Sequence, residues 1–95
     1  MSVASAIKAI DKKYPELNAV DYSEWNGGDE GVGIWFRGSE NGVLAKDGRI
    51  LLDYWVEDSE GRHYSFGVHK ELESLLEKHG MHGEWNDAGT LMAFQ

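Results

Sequence analysis

Residues 32–37 read VGIWFR, and every second side chain in this stretch is a large apolar one. Val32, Ile34 and Phe36 fall on one side of an extended chain, which is typical of a β-strand that buries one face. The same period of two recurs in residues 50–57, ILLDYWVE, and in residues 63–66, HYSF. The middle of the chain is therefore predicted to form a β-sheet.

Glycine-containing segments separate these runs and predict tight hairpin turns at residues 46–48 and 59–61. Such short connections imply that neighbouring strands are antiparallel. An earlier strand is predicted to begin at Val20 and Tyr22, and a last one to cover residues 90–94, which are rich in β-forming side chains.

Two helices are predicted on either side of the strand region, because the apolar side chains there recur at helical spacing. The first stripe is Val3, Ile7, Ile10 and Tyr14, with Ser2 as the N-terminal cap and Pro15 as the stop. The second stripe is Val68, Leu72, Leu75 and Leu76. Gly80 suits the left-handed position after this helix, and Met81 is expected to cover Leu76.

These elements predict a single α+β domain over residues 1–95, in the order α-β-β-β(-β)-α-β. We expect an antiparallel sheet of four to five strands, with the N-terminal and the penultimate helix packed on one face. The side chains expected under the helices are Ile34, Phe36, Ile50, Leu52, Tyr54, Val56, Tyr64 and Phe66.

Strict alternation places a different set of side chains on the opposite face of the predicted sheet. This set is Trp35, Leu51, Asp53, Trp55 and Glu57. Charged side chains at alternating positions indicate that this face is exposed to water. Tryptophan is enriched at the centres of protein interfaces. We therefore predict a partner-binding surface made of Trp35, Asp53, Trp55 and Glu57, together with Asp29 and Glu30. The competing interpretation is that the tryptophans complete a small core.

The net charge of the chain is -8, and the acidic side chains concentrate in two segments. Residues 16–30 carry a charge of -5 and residues 51–61 a charge of -4. Such a chain repels phosphate backbones and anionic lipid headgroups. We predict a basic protein partner, no direct binding of nucleic acid and no membrane association.

Patterns that would indicate catalysis or a cofactor are missing from the sequence. It contains no cysteine, no phosphate-binding loop of the G-x-x-x-x-G-K type and no G-x-S-x-G nucleophile motif. Gly80 is expected to end the helix between His79 and His82, so that the two histidines do not share one helical face and do not predict a zinc site. Asp53 and Glu57 would lie roughly 13 Å apart along one strand, too far for a carboxylate pair. No catalytic residue, metal or cofactor is predicted.

The sequence therefore predicts a small acidic binding protein without enzymatic activity. An inhibitor-like module that docks on a nuclease or DNA-binding factor fits best, since toxin immunity proteins and phage anti-defence proteins share this size and charge; the likeness is one of composition only. Two alternatives stay open: a small-ligand module or small enzyme that uses the tryptophan face, and a structural or assembly subunit. A cytoplasmic location is expected, and a homodimer is left open.

Overall fold

The computed structural model describes residues 2–58 and 60–95 of the chain. Three α-helices are α1 (Val3–Lys13), α2 (Ser23–Asn26) and α3 (Lys70–Lys78), and a 3-10 turn covers Pro15–Leu17. The strands are β1 (Ala19–Asp21), β2 (Gly33–Phe36), β3 (Tyr64–Ser65), β4 (Val68–His69), β5 (His82–Asp87) and β6 (Thr90–Phe94). The predicted α+β class, with one helix at the N-terminus and another near the C-terminus, is confirmed.

Four strands form an antiparallel sheet in the order β1-β2-β6-β5, so that β1 and β5 are its edges. Strands β3 and β4 form a separate two-stranded hairpin. Helices α1 and α3 cover one face of the sheet and enclose one apolar core. Its fully buried side chains include Ile10, Ile34, Phe36, Leu72 and Leu91.

Both predicted helices form, and their ends match the expected capping chemistry. Ser2 caps α1 by accepting a hydrogen bond from the backbone N–H of Ser5 at 3.1 Å. At the end of α3, Gly80 has a φ of +69°, and Met81 donates its N–H to the carbonyl of Leu76 at 2.9 Å. This is the expected left-handed helix ending, in which Met81 is buried against the core. Val68, however, belongs to β4, and α3 begins only at Lys70.

The predicted strand over residues 50–57 is wrong. This segment makes only two isolated bridges, Leu44 with Ile50 and Leu52 with Val68, and then turns at residues 54–55. Leu51 and Leu52 are both buried although they are adjacent, which breaks the alternation that a strand requires. Main-chain hydrogen bonds join Leu51 to Val43 and to His69. A third joins Asp53 to Gly67, and the segment leaves this pairing at the turn that follows.

Several residues of the predicted core are consequently exposed. Of the set expected under the helices, Ile50, Tyr54 and Phe66 lie at the surface, while Leu51, which was placed on the open face, is fully buried. The strand predicted at 63–66 is reduced to Tyr64–Ser65. The turn at 46–48 forms, with the Gly48 N–H bonded to the carbonyl of Ala45 at 3.0 Å. The predicted turn at 59–61 includes Ser59, which lies outside the described residues.

Candidate protein-binding surface

Four aromatic residues gather where the 53–58 loop, the β3–β4 hairpin and β5 meet. We call Tyr54, Trp55, Phe66 and Trp85 the aromatic patch. The ring of Tyr54 packs edge to face on both Trp55 and Trp85, with centroid distances of 4.9 and 5.3 Å. Trp55 is 76% exposed, Phe66 94% and Tyr54 45%. Large aromatic groups held together at the surface are typical of contact sites for another molecule.

The tip of the β3–β4 hairpin presents Phe66 to solvent in a strained backbone conformation. Phe66 has a φ of +50° and Gly67 one of +81°, the combination found in two-residue type I′ hairpin turns. Glycine fits this geometry, whereas an aromatic residue in the left-handed region is unusual. Residues in strained backbone conformations cluster at ligand-binding and other functional sites.

Hydrogen bonds fix the hairpin tip to the rest of the aromatic patch. The indole Nε1 of Trp85 donates to the carbonyl of Phe66 at 2.6 Å, and the Asp53 N–H donates to the carbonyl of Gly67 at 2.8 Å. Gly67 lies so close to Asp53 that a Cβ there would come within 2.8 Å of the Asp53 carbonyl oxygen. The patch is therefore held in place before any partner arrives.

The loop that carries Trp55 is organised by two aspartates. The Asp53 carboxylate accepts from the Trp55 N–H at 3.2 Å, which turns the chain sharply and directs the indole outwards. The Asp58 carboxylate accepts from the backbone N–H groups of His63 and Tyr64, both at 2.9 Å. These hydrogen bonds favour the ionised form and hold the pKa of Asp58 below its ordinary value.

The surroundings of the aromatic patch are strongly acidic. Glu40 and Asp53 help to line a shallow depression of about 270 Å³ beside Trp55 and Trp85. In the adjoining loop Arg62 pairs with Glu60 at 2.8 Å, so that this cation is already balanced by a carboxylate. The patch therefore combines exposed aromatic area with a surplus of negative charge.

The residues that the sequence predicted as one binding surface do not share one face. Trp35 pairs with Met92 in the sheet, whereas Trp85 pairs with Leu91, and neighbouring residues of a strand point to opposite faces. Trp35 therefore lies on the face of the sheet opposite α1 and α3, on the other side of the sheet from the patch that contains Trp55. The expectation of a single acidic and aromatic sheet face is wrong.

Trp35 instead belongs to a second aromatic group, on the face of the sheet opposite α1 and α3, where α2 contributes Trp25. Its ring packs edge to face on that of Trp25 at 5.3 Å, and the Arg37 guanidinium lies 6.0 Å from its centroid. Asp29 and Glu30 are exposed in the loop after α2. Asp53, Trp55 and Glu57, by contrast, lie together in the other loop. The predicted set is thus divided between two surfaces, and its role in binding stays a prediction.

Tyr54, Phe66 and Trp85 were missed as members of this surface. The alternating pattern assigned Tyr54 and Phe66 to the core, and Trp85 lies in a segment for which no strand was predicted but which forms β5. The signal that could have revealed Phe66 is the glycine that follows it, since Gly67 favours a two-residue turn and places the preceding side chain at a hairpin tip.

The group that most resembles a catalytic constellation is buried and structural. His69 is 6% exposed; its Nδ1 accepts from the Glu71 N–H at 3.0 Å and caps α3, while its Nε2 donates to Asp47 at 3.0 Å. Hydrogen bonds from Arg49 and His69 lower the pKa of Asp47 to about 2. Both ring nitrogens are occupied, so His69 has no free nitrogen with which to act as a base.

The carboxylate of Glu71 joins α3 to the end of α1 and to the 45–49 turn. It accepts from the hydroxyl of Tyr14 and from the Lys46 N–H at 3.2 Å. Burial and this contact raise the pKa of Tyr14, and the hydroxyl lowers that of Glu71. Tyr14 also lines an open depression of about 400 Å³ beside Lys13 and Asn41, but its hydroxyl is already bonded to Glu71. The network therefore stabilises the fold.

Within residues 2–58 and 60–95, no cluster of three or more histidine, aspartate or glutamate side chains is arranged to hold a metal ion. None of the helices in this part of the chain has the length and apolarity needed to cross a membrane. Comparison of the chain with protein families, with curated proteins and with solved structures gives no match. The surface must therefore be interpreted from its own geometry and charge.

Proposed function

We propose that this protein is a non-enzymatic, inhibitor-like binding module that docks its aromatic patch on a basic protein. The observation that carries the proposal is the exposure of Trp55 and Phe66, at 76% and 94%, on a hairpin and loop that are already fixed by hydrogen bonds. A rigid aromatic anchor loses little conformational entropy on binding, and such anchors dominate the affinity of many interfaces.

The shape of the surface favours a protein partner over a small ligand. Pockets for small molecules enclose about 300–1,000 Å³ and bury most of their ligand. The depression beside Trp55 measures about 270 Å³ and is bounded by Tyr54 and Trp85. Trp55 lines this depression and is nevertheless 76% exposed, as expected of a residue that is free to enter a pocket on the partner.

The charge of the surface favours a basic partner. The chain carries a net charge of -8, and residues 51–61, which include Trp55, contribute -4. Opposite charge on the partner would accelerate association and fix its orientation. Proteins with an exposed basic surface are commonly those that bind nucleic acid, and the acidic loop would compete with phosphate for that surface. A nuclease or a DNA-binding factor is the partner class we propose.

Affinity capture with matched tryptophan variants tests this proposal. Immobilised wild-type protein is compared with Trp55→Ala and with Trp25→Ala, which removes a 46% exposed indole from the other aromatic group. Retained proteins are quantified by mass spectrometry at low and high salt. We expect basic proteins that are retained at low salt, released at high salt, lost from Trp55→Ala and kept by Trp25→Ala.

Three results would overturn the proposal. Loss of the same partner from Trp25→Ala, but not from Trp55→Ala, would move the binding surface to the face opposite α1 and α3. Failure to retain any basic protein, combined with a stable oligomer in light scattering, would instead identify an assembly subunit. A thermal shift caused by a small molecule and abolished by Trp55→Ala would favour the ligand module.

A further inference from the structure

Strand β5 is an open edge of the sheet. It pairs with β6 on one side only. Among the described residues, neither the backbone nor a side chain donates to or accepts from the main-chain groups of Gly83 or Trp85 on the other side. An unpaired strand edge is a template on which another extended chain can add main-chain hydrogen bonds.

The hydrogen-bond pattern of the sheet shows which groups of β5 point outwards. Tyr22 donates its N–H to the carbonyl of Gly33, so the main-chain groups of Gly33 point towards β1. The main-chain groups of the next residue, Ile34, therefore point towards β6 and form hydrogen bonds with those of its register partner, Ala93. The main-chain groups of Ala93 therefore point away from β5. Gly83 lies opposite Ala93, so these two residues form a non-hydrogen-bonded pair. The N–H and C=O of Gly83 consequently point out of the sheet.

A second contact supports the same assignment. Leu91 donates its N–H to the hydroxyl oxygen of Ser39, which follows β2. Leu91 therefore also turns its main-chain groups away from β5, and its register partner Trp85 presents its own groups outwards. Gly83 and Trp85 are two residues apart, which is the spacing at which an added strand forms its hydrogen bonds.

A groove beside this edge can hold a side chain of the added strand. A cavity of about 280 Å³ lies between the β3–β4 hairpin, α3 and the start of β5. Its apolar lining comes from Phe66, Val68, Leu76 and Met81. His82 and Gly83 of β5 also line it, and because Gly83 has no side chain, the space directly beside its own main-chain groups is left open. The volume suits one large apolar side chain.

Charge selects the occupant of the groove. Glu73 and Glu77 line the cavity, and Glu84 is exposed on the opposite face of β5. On an added strand, the side chains directly before and after the apolar residue point to the opposite face, where basic residues would meet Glu84 beside His82. Glu73 and Glu77 make the groove itself acidic. A second copy of the chain is disfavoured, since each copy carries a net charge of -8 and presents the same acidic edge.

We propose that β5 binds an extended basic segment of the partner protein as an additional strand, with one apolar side chain in the groove beside Gly83. This inference rests on the proposed function, because it assumes the same basic partner. It adds the mode of recognition: main-chain hydrogen bonds at Gly83 and Trp85, next to the aromatic patch at Phe66 and Trp85. The hairpin tip would then border both parts of one continuous interface.

A matched pair of substitutions at one residue tests the added strand. Gly83→Pro removes the outward N–H and leaves the bonds to β6, whereas Gly83→Ala keeps the N–H and adds a Cβ at ordinary contact distances of 3.4 Å from Leu91 and 3.5 Å from Val68. The probe is a capped heptapeptide of alternating lysine and valine, and its affinity is measured by calorimetry. We expect Gly83→Pro to bind it at least about tenfold more weakly than Gly83→Ala.

Hydrogen exchange on the wild-type protein provides a second measurement that needs no variant to fold. The peptide should slow exchange of the Gly83 and Trp85 amides, which point outwards, and change that of the His82 and Glu84 amides less, since these face β6. Equal peptide affinity of the two Gly83 variants, or unchanged exchange at Gly83 and Trp85, would overturn the added strand. If the captured basic partner still depended on Trp55, the proposed function would nevertheless stand.

Discussion

Replacement of Phe66 by asparagine should make the protein more stable. The Phe66 side chain is 94% exposed and its φ is +50°. A non-glycine residue in the left-handed region costs about 1–2 kcal/mol, and asparagine tolerates this region better than most residues. The substitution would also give the turn the Asn-Gly sequence that type I′ hairpins favour.

The expected gain follows from what the ring contributes in the free protein. With so little of the side chain buried, its removal loses almost no hydrophobic stabilisation. The hydrogen bond from Trp85 is kept, since it is accepted by the main-chain carbonyl of Phe66. We therefore expect the free energy of unfolding to rise by about 1 kcal/mol, which corresponds to an increase of about 4–8 °C in the melting temperature of a domain of this size.

Urea denaturation followed by tryptophan fluorescence, together with calorimetry, measures this change. Phe66→Ala is the control, because alanine removes the ring without relieving the left-handed backbone. Its stability should stay within about 0.5 kcal/mol of the wild type. If Phe66→Asn were no more stable than Phe66→Ala, the backbone at the hairpin tip would not be strained, and the argument for Phe66 as a displayed anchor would lose its basis.

Two further predictions concern the buried network and a close backbone contact. The pKa of Asp47 is lowered from 3.8 to about 2 by its hydrogen bonds with His69 and Arg49. These bonds therefore stabilise the protein fully at pH values above 3.8, and this stabilisation is lost as the pH falls through about 2. In urea titrations Asp47→Asn should therefore be less stable than the wild type near pH 5, and the two should converge near pH 2; a constant difference would contradict the assignment. Gly38→Ala should lower the free energy of unfolding by about 1–3 kcal/mol, since a Cβ at Gly38 would lie 2.1 Å from the main-chain oxygen of Glu16; an unchanged denaturation midpoint would show that the chain relaxes there without cost.

Elements with strong local signals could be predicted from the sequence. The stripe and cap of α1, the glycine ending of α3 and the alternating β2 are all specified by residues close together in the chain. Strands β1 and β6 were likewise indicated by their apolar content. These elements place the two helices on one face of the sheet, and this was enough to predict the fold class.

Elements that depend on distant partners could not be predicted. Strand β5 contains histidine, glycine, glutamate and aspartate, with Trp85 as its one large apolar residue, and it forms because β6 pairs with it. Residues 50–57 have the composition of a strand, but Leu51 and Leu52 are both buried in the core. Tyr54 and Trp55, which follow them, are exposed at the surface. The binding surface depends on this departure from alternation, so local periodicity placed Trp55 beside Trp35 when the sheet in fact separates them.

The most direct test of the docking surface is the partner binding of Phe66→Asn, compared with the wild type on the same captured basic protein. Since this variant should fold more stably, any loss of affinity belongs to the missing ring. We expect at least about tenfold weaker binding. Wild-type affinity in this variant would contradict the claim that the exposed hairpin tip anchors the partner.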